Sequence, residues 1–342
     1  MTGSSWRGWG GVGAMAAACS LALAAALVPL RDSGGPVAAP PGGPLTQARY
    51  ASTEAAQTCA NGLPPELSLR PDSGTMDGPA VARIKKQGRL KVGVDQNSYL
   101  WGFRDPATGQ LAGFDIDIAH AIAKDIFGDP NKVQFLTVPT SQRIQKIQNH
   151  DVDMVVRTMT INCDRIKDVA FSTAYFTAGQ QVLAPKNSGI KGYDDTLRGK
   201  TVCTASGSTG EAELKGGPGS TGESGEQKFG LKVLTVPNQL DCLVRLQLGQ
   251  ADAVFTDNAL AAGQAAQDPT VSLVGSAVTD EPYGVAMNLG DSDLVRRVNK
   301  VLADYAAGGL KSEWNKSYNR WLAADLPAAP GTTPGPPAPK YK

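Results

Sequence analysis

From residue 79 onward the chain alternates between two hydrophobic rhythms. Short continuous apolar runs mark buried strands, and stretches with apolar residues three and four apart mark amphipathic helices. A helix is expected over 79–87, opening at Gly78-Pro79. Arg89-Leu90-Lys91-Val92-Gly93-Val94-Asp95 reads as a short buried strand that ends on Asp95. Ile118, Ile122 and Ile126 recur every fourth residue and place a second helix over 114–126. A strand over 132–138, a helix over 141–149 and a strand over 152–156 follow. This β–α alternation argues for a largely parallel sheet.

The pattern then repeats. Ile147-Gln148-Asn149-His150-Asp151-Val152-Asp153-Met154-Val155-Val156-Arg157-Thr158 reads like Leu246-Gln247-Leu248-Gly249-Gln250-Ala251-Asp252-Ala253-Val254-Phe255-Thr256-Asp257. Each copy is a helix end, a polar turn, an Asp and a buried strand finishing in polar residues. Two such units about a hundred residues apart predict two similar lobes with a cleft between them. Residues 171–184 form an apolar run that crosses between the lobes. Lobe two starts afresh at Gly199-Lys200-Thr201-Val202-Cys203, which echoes Gly88-Arg89-Leu90-Lys91-Val92. A glycine-rich insertion over 215–228 is expected to be a surface loop. A strand over 231–236, a helix over 240–248 and a strand over 253–255 complete the second set. A strand over 283–289 leads back to lobe one, and helices follow over 294–305 and 312–322.

Composition narrows the function. The 342 residues carry 33 basic and 32 acidic side chains, a net charge of +1, so the chain lacks the basic footprint of a nucleic-acid binder. There are two histidines and five cysteines, none in a Cys-x-x-Cys pair. A zinc site is therefore not expected, and no cofactor is called for. The odd cysteine count reads as two disulfides plus one cysteine with another task, which requires an oxidising compartment. The N-terminus agrees: residues 12–30 are uncharged and rich in Ala and Leu, an export signal or a membrane span. Ala16-Ala17-Ala18-Cys19 resembles a lipobox, although Ala16 stands where Leu is expected and most of the apolar run follows Cys19. Lipidation of Cys19, an uncleaved span and a cleaved signal stay open. All three place the remainder outside the cytoplasm.

Several motifs admit plainer readings. Gly217-Pro218-Gly219-Ser220-Thr221-Gly222 has the spacing of a dinucleotide fingerprint but no strand before it, so a flexible loop is the better reading. Ser206-Gly207-Ser208-Thr209-Gly210 opens a helix and suits either an anion seat or a simple N-cap. Arg165 lies just past Thr160-Ile161-Asn162-Cys163-Asp164 at the mouth of lobe one, and Asp257 ends the matching strand of lobe two. A guanidinium grips a carboxylate with two parallel hydrogen bonds, and a carboxylate holds an ammonium, so together they offer what a free amino acid needs.

Taken together, the segments over residues 80–323 resemble the family 3 solute-binding proteins, extracytoplasmic receptors of polar amino-acid ABC importers. Gly113-Phe114-Asp115-Ile116-Asp117-Ile118 is similar to the family signature. Thr158-Met159-Thr160-Ile161-Asn162-Cys163-Asp164-Arg165 resembles the segment with the α-carboxylate-binding Arg, and Val254-Phe255-Thr256-Asp257 the α-amino site. Glu281-Pro282-Tyr283-Gly284 resembles the second crossover strand. A nearer likeness is to actinobacterial glutamate/glutamine-binding proteins: Pro139-Thr140-Ser141-Gln142-Arg143 resembles a segment whose Arg meets a side-chain carboxylate, and Cys203 and Cys242 match a disulfide of that subgroup.

The resemblance implies an α/β, two-lobed periplasmic-binding-protein-like (type II) fold with a ligand cleft between lobes joined by two crossover strands. The implied organisation is a signal or anchor over 1–31, linker and prelude over 32–78, lobe one over 79–177, lobe two over 178–278, a return to lobe one over 279–325, and a disordered tail over 326–342. The implied ligand set is Arg165, Asp257, Arg143, Thr158, Thr160, Ser208, Thr209, Asp95, Thr140 and Tyr283, with Tyr99 or Trp101 in place of an aromatic lid that Thr140 does not supply. A bridge between lobes would obstruct the hinge, whereas Cys59–Cys163 and Cys203–Cys242 are pairs within lobes. The implied function is an amino-acid receptor, a monomer that closes on glutamate, glutamine, aspartate or asparagine and delivers it to permease subunits in the membrane. A tethered sensor serving a kinase or other signalling partner is the alternative. An enzyme of this fold would need a general acid, for which Glu211 is the nearby residue.

Overall fold

The computed structural model describes residues 58–328, 332 and 334–342. All of them lie in one compact unit. The first helix, α1 (Pro79–Gln87), has Pro79 at its first position and stops at Gly88, whose φ of 75° suits a left-handed cap. Next come β1 (Leu90–Val94), a small antiparallel ribbon of β2 (Asn97–Ser98), β3 (Gly102–Arg104) and β4 (Leu111–Ala112), and α2 (Phe114–Phe127). Then follow β5 (Val133–Thr137), α3 (Arg143–Gln148), β6 (Met154–Val155) and β7 (Ala170–Phe171).

The chain leaves this half through β8 (Phe176–Ala178) and enters the second through β9 (Gln180–Pro185). The second half holds β10 (Thr201–Ala205), α4 (Thr209–Lys215), α5 (Gly225–Phe229), β11 (Lys232–Val236), α6 (Gln239–Gln247), β12 (Ala253–Asp257), α7 (Asn258–Gln267) and β13 (Val271–Val274). It returns through β14 (Glu281–Tyr283) to β15 (Ala286–Met287), α8 (Ser292–Ala306) and α9 (Glu313–Trp321).

The sequence repeat is a structural repeat. One five-stranded sheet runs β5-β1-β6-β15-β7 and the other β11-β10-β12-β9-β13. In each, three parallel strands are flanked by an antiparallel strand: Val92 pairs with Met154 and Val202 with Ala253 at equivalent registers, while β15 and β9 run antiparallel to β6 and β12. β8 and β14 form the antiparallel crossover ribbon, with Phe176 opposite Tyr283 and Ala178 opposite Glu281. This is the type II periplasmic-binding fold. The largest core cluster packs Ile84, Ile118, Ile122 and Trp314 around α1, α2, α8 and α9, and separate clusters fill the second half.

Some expectations need correction. The strand expected over 152–156 is ordered as a pair only at 154–155, and the one expected over 283–289 is split, because β14 belongs to the ribbon and β15 to the first sheet. α7 and β13 were not foreseen: α7 is rich in Ala and Gln and buries residues around much of its circumference, so it shows little amphipathic period. The insertion over 215–228 contains the start of α5, capped by Ser224, rather than loop alone. The tail expected to be disordered is placed at its end. Ser68 N–H donates to the Lys340 carbonyl at 3.0 Å, Lys342 N–H donates to the Ser68 carbonyl at 2.9 Å, and Lys340 Nζ pairs with Glu66 at 3.1 Å. Among the described residues no helix is long and apolar enough to cross a membrane. Cys19 and the apolar run over 12–30 lie outside the described residues.

Candidate functional site

Charged and hydroxyl side chains converge where the parallel strands of both sheets end. In open α/β sheets this end of the strands is where ligands bind, because loops and helix N-termini leave donors and acceptors free there. Asp95 follows β1, Thr140 follows β5, Arg157 and Thr158 follow β6, and Asp257 ends β12. Ser208 and Thr209 open α4, where Ser208 Oγ accepts the Glu211 N–H at 3.0 Å. The N-cap reading of that turn therefore holds, and Glu211 is itself occupied, accepting from Gly207 N–H at 2.7 Å and Lys215 Nζ at 3.0 Å.

These residues, with Arg143, Thr160 and Arg165, line one cavity between the two sheets, together with Ser98, Gln180, Gln239 and Leu260. Its free volume is about 30 Å³, little more than a water's space, so the cleft is nearly shut. A larger cavity of about 340 Å³ behind the ribbon is lined by Phe176, Ala277, Trp314 and proline residues of the tail, with no convergent charge beyond Asp280.

On the lobe-one side three guanidiniums are buried. Arg165 donates from Nη1 to the Thr160 carbonyl at 2.9 Å and from Nη2 across the cleft to the Gly207 carbonyl at 3.3 Å. Arg143 donates from Nε to the Thr140 carbonyl at 2.9 Å and from Nη2 to the same Gly207 carbonyl at 3.3 Å. Burial pushes both guanidiniums down, and for Arg143 the neighbouring Arg165 and Arg157 add to it. Arg157 pairs with Asp95 at 2.8 Å, and its Nη1 donates to Thr140 Oγ1 at 2.9 Å. Its Nε makes no hydrogen bond among the described residues.

On the lobe-two side Asp257 accepts from Gln180 Nε2 and Tyr283 Oη. Burial, with the Glu281 carboxylate nearby, pushes Asp257 up to about 7. Behind the cavity, Asp115 accepts the Thr158 N–H at 3.0 Å and the Tyr175 hydroxyl at 2.7 Å. Thr158 needs this support, since its φ of 41° is unusual for a β-branched residue. Burial raises Asp115 to about 7.

Of the expected ligand set, Tyr283 is the exception: it is fully buried and lies behind Asp257 rather than on the cavity. Neither aromatic candidate lines the cavity. Trp101 is fully buried, its Nε1 donating to the Ala259 carbonyl at 3.0 Å, and Tyr99 is half-exposed, edge-on to Phe103. Cavity residues not singled out from sequence include Arg157, Ser98, Gln180 and Gln239, while Asp115 and Glu281, quoted there only within motifs, support the site from behind. The internal repeat aligns Arg157 with Thr256 and Thr158 with Asp257, and that alignment was a signal for the first of them. Both disulfides are present, Cys59–Cys163 and Cys203–Cys242.

Residues 90–324 match the profile of the bacterial extracellular solute-binding proteins, family 3. The chain belongs to this family. Among family members, the glutamine-binding protein GlnH of a Bacillus subtilis ABC transporter is 37% identical over 245 residues, covering 72% of this chain and 85% of that one. A glutamine-binding protein of Geobacillus stearothermophilus is 40% identical over 205 residues, 60% of this chain and 74% of that one. A solved structure of an ancestral arginine-binding protein bound to glutamine superimposes with a TM-score of 0.61 at 36% identity, covering 69% of this chain and 98% of that one.

Proposed function

We propose that this chain is the substrate-binding component of a polar amino-acid ABC importer, and that its ligand is glutamate, with glutamine, aspartate or asparagine taken less well. Arg165 takes the α-carboxylate, Asp257 the α-ammonium, and Arg143 with the free Nε edge of Arg157 the side-chain carboxylate. One observation carries the reading. Arg143 and Arg165 are buried on one cavity and spend their donors on carbonyls, without an ion pair among the described residues, while Asp257 faces them from the other lobe. Buried charge is costly unless paired. A ligand with two carboxylates and one ammonium answers all three groups at once.

Such a ligand bridges both lobes, so it binds the closed form better than the open one and shifts the population toward closure. The closed shape is what permease subunits in the membrane then read. The relatives are solute-binding proteins, and Glu211, tied to Gly207 and Lys215, is not free to act as an acid over a substrate. The Bacillus subtilis relative is named as part of an ABC transporter, which favours the importer over a sensor with a signalling partner.

Titration calorimetry on the chain from residue 48 onward, with Glu, Asp, Gln and Asn, tests this. Glutamate is expected to bind at micromolar Kd or tighter, Arg165→Ala to abolish the heat, and Arg143→Gln to weaken glutamate by roughly tenfold or more while sparing glutamine. Tighter binding of glutamine than of glutamate by the wild type, or glutamate binding unaffected by Arg143→Gln, would overturn the glutamate assignment.

A further inference from the structure

One buried carboxylate touches hydroxyls from both lobes and from the ribbon that joins them. Glu281 stands in β14, 3% exposed, and does not line the ligand cavity. Its Oε2 accepts the Thr160 hydroxyl at 2.5 Å from lobe one and the Thr209 hydroxyl at 3.0 Å from lobe two. Its Oε1 accepts the Thr279 hydroxyl at 2.8 Å, just before the ribbon strand begins. Thr209 Oγ1 in turn accepts from Gln180 Nε2 at 2.9 Å, and Gln180 also donates to Asp257. The result is an unbroken hydrogen-bonded chain from the ammonium-facing Asp257, through Gln180 and Thr209, to Glu281, and on to Thr160, whose carbonyl holds Arg165.

We propose that Glu281 is a closure latch, a positioning residue that ties Thr209 of α4 to the Arg165 loop and so stabilises the shut cleft. The lobe-one bond is reinforced by backbone: Ile161 N–H donates to the Pro282 carbonyl at 2.7 Å and Thr160 bridges Tyr283. That side stays with β14 as the lobes part. The Thr209 bond, on the far side of the cleft floor, is the one that opening breaks. Burial pushes the Glu281 carboxyl up, while the Thr160, Thr279 and Thr209 hydroxyls and the Arg165 guanidinium pull it back down. A buried carboxyl that lost these donors would be left unsatisfied, so the hydroxyls hold it and it holds them. Glu281 thus acts through Thr160 and Thr209 rather than on the ligand.

The latch rests on the receptor reading for its purpose but not for its first test. Hydrogen exchange of the full ligand-free chain is compared for wild type, Glu281→Ala and Glu281→Gln. Loss of the latch is expected to raise exchange over 158–165 and 207–212 while β1 and β10 keep their protection, and Gln, which retains one acceptor oxygen, is expected to restore part of the difference. In stopped-flow release, with glutamate as the probe, Ala is expected to speed dissociation roughly tenfold and Gln less. Cleft exchange equal to wild type in both variants overturns the latch, as does exchange raised equally in β1 and β10, which marks general loosening. If glutamate does not bind wild type, the ligand assignment fails while the exchange result still decides the latch.

Discussion

Asp115 shows how one side chain serves a site it never touches. Its carboxylate takes the N–H of Thr158, on the cavity wall, and the hydroxyl of Tyr175, the residue before the ribbon strand β8. Burial is the leading cause of its rise to about 7, so the folded state holds its proton more tightly than the unfolded chain does. The sign follows: the stability it contributes is fully present below the ordinary carboxylate range near 3.8 and is lost as pH rises through about 7. Asp257 shifts the same way. Wild type is therefore expected to lose several degrees of Tm between pH 5 and pH 7.5. Asp115→Asn, which keeps an acceptor for Thr158 and a donor for Tyr175, should show a smaller loss by thermal scanning at both values. Asp115 was visible in the sequence as part of a motif, but its partners lie 43 and 60 residues away, and that pairing is a property of the fold. Asp257 stood out at the end of a buried strand and Arg165 at the mouth of lobe one, whereas Arg143 came into view only through the resemblance to glutamate/glutamine-binding proteins.

At the scale of elements, the Cys59–Cys163 disulfide spans 104 residues and ends two residues before Arg165. Asn162 beside it accepts the Arg165 N–H at 2.9 Å, so the bridge and the side chain jointly fix the loop that carries the guanidinium. Cys163→Ala is expected to cost about 2–5 kcal/mol of stability and also to weaken glutamate binding several-fold. Replacing the Cys203–Cys242 pair, buried in the core between β10 and α6, should lower Tm with less effect on affinity. Calorimetry of both variants separates the two, and normal binding by Cys163→Ala would sink the positioning role. Most strands and helices could be placed from hydrophobic period alone. α7 could not, because alanine-rich helices buried on several sides have no contrast between faces, and the split of β14 from β15 depends on which sheet each joins.

At the scale of the molecule, closure brings backbone against backbone. A methyl group on Gly263 of α7 would lie 2.6 Å from the Tyr99 carbonyl of the other lobe, too near for any real contact. Within a helix the same change from Gly to Ala is favourable by about 1 kcal/mol. Gly263→Ala should therefore leave the ligand-free Tm near wild type while weakening glutamate roughly tenfold or more, since the clash exists only when the lobes are shut. Isothermal titration beside a thermal scan checks both halves. The two-lobed plan was legible because the sequence repeats its αβ unit. How tightly the lobes meet was not, since Gly263 and Tyr99 carry no mark in the sequence of facing one another.

The return of the tail to Ser68 has a practical corollary. Lys342 and Asn61 share one groove, so the two ends of the described fold lie side by side. A short peptide can bridge them, and the ring so formed can be cut elsewhere without losing an element. The glycine-rich stretch over 216–222 is the natural place to cut. A circular permutant opened there is expected to fold with both disulfides and to bind as the parent does, with its new termini beside the mouth of the cleft, where a pair of fluorophores would report each closing event directly.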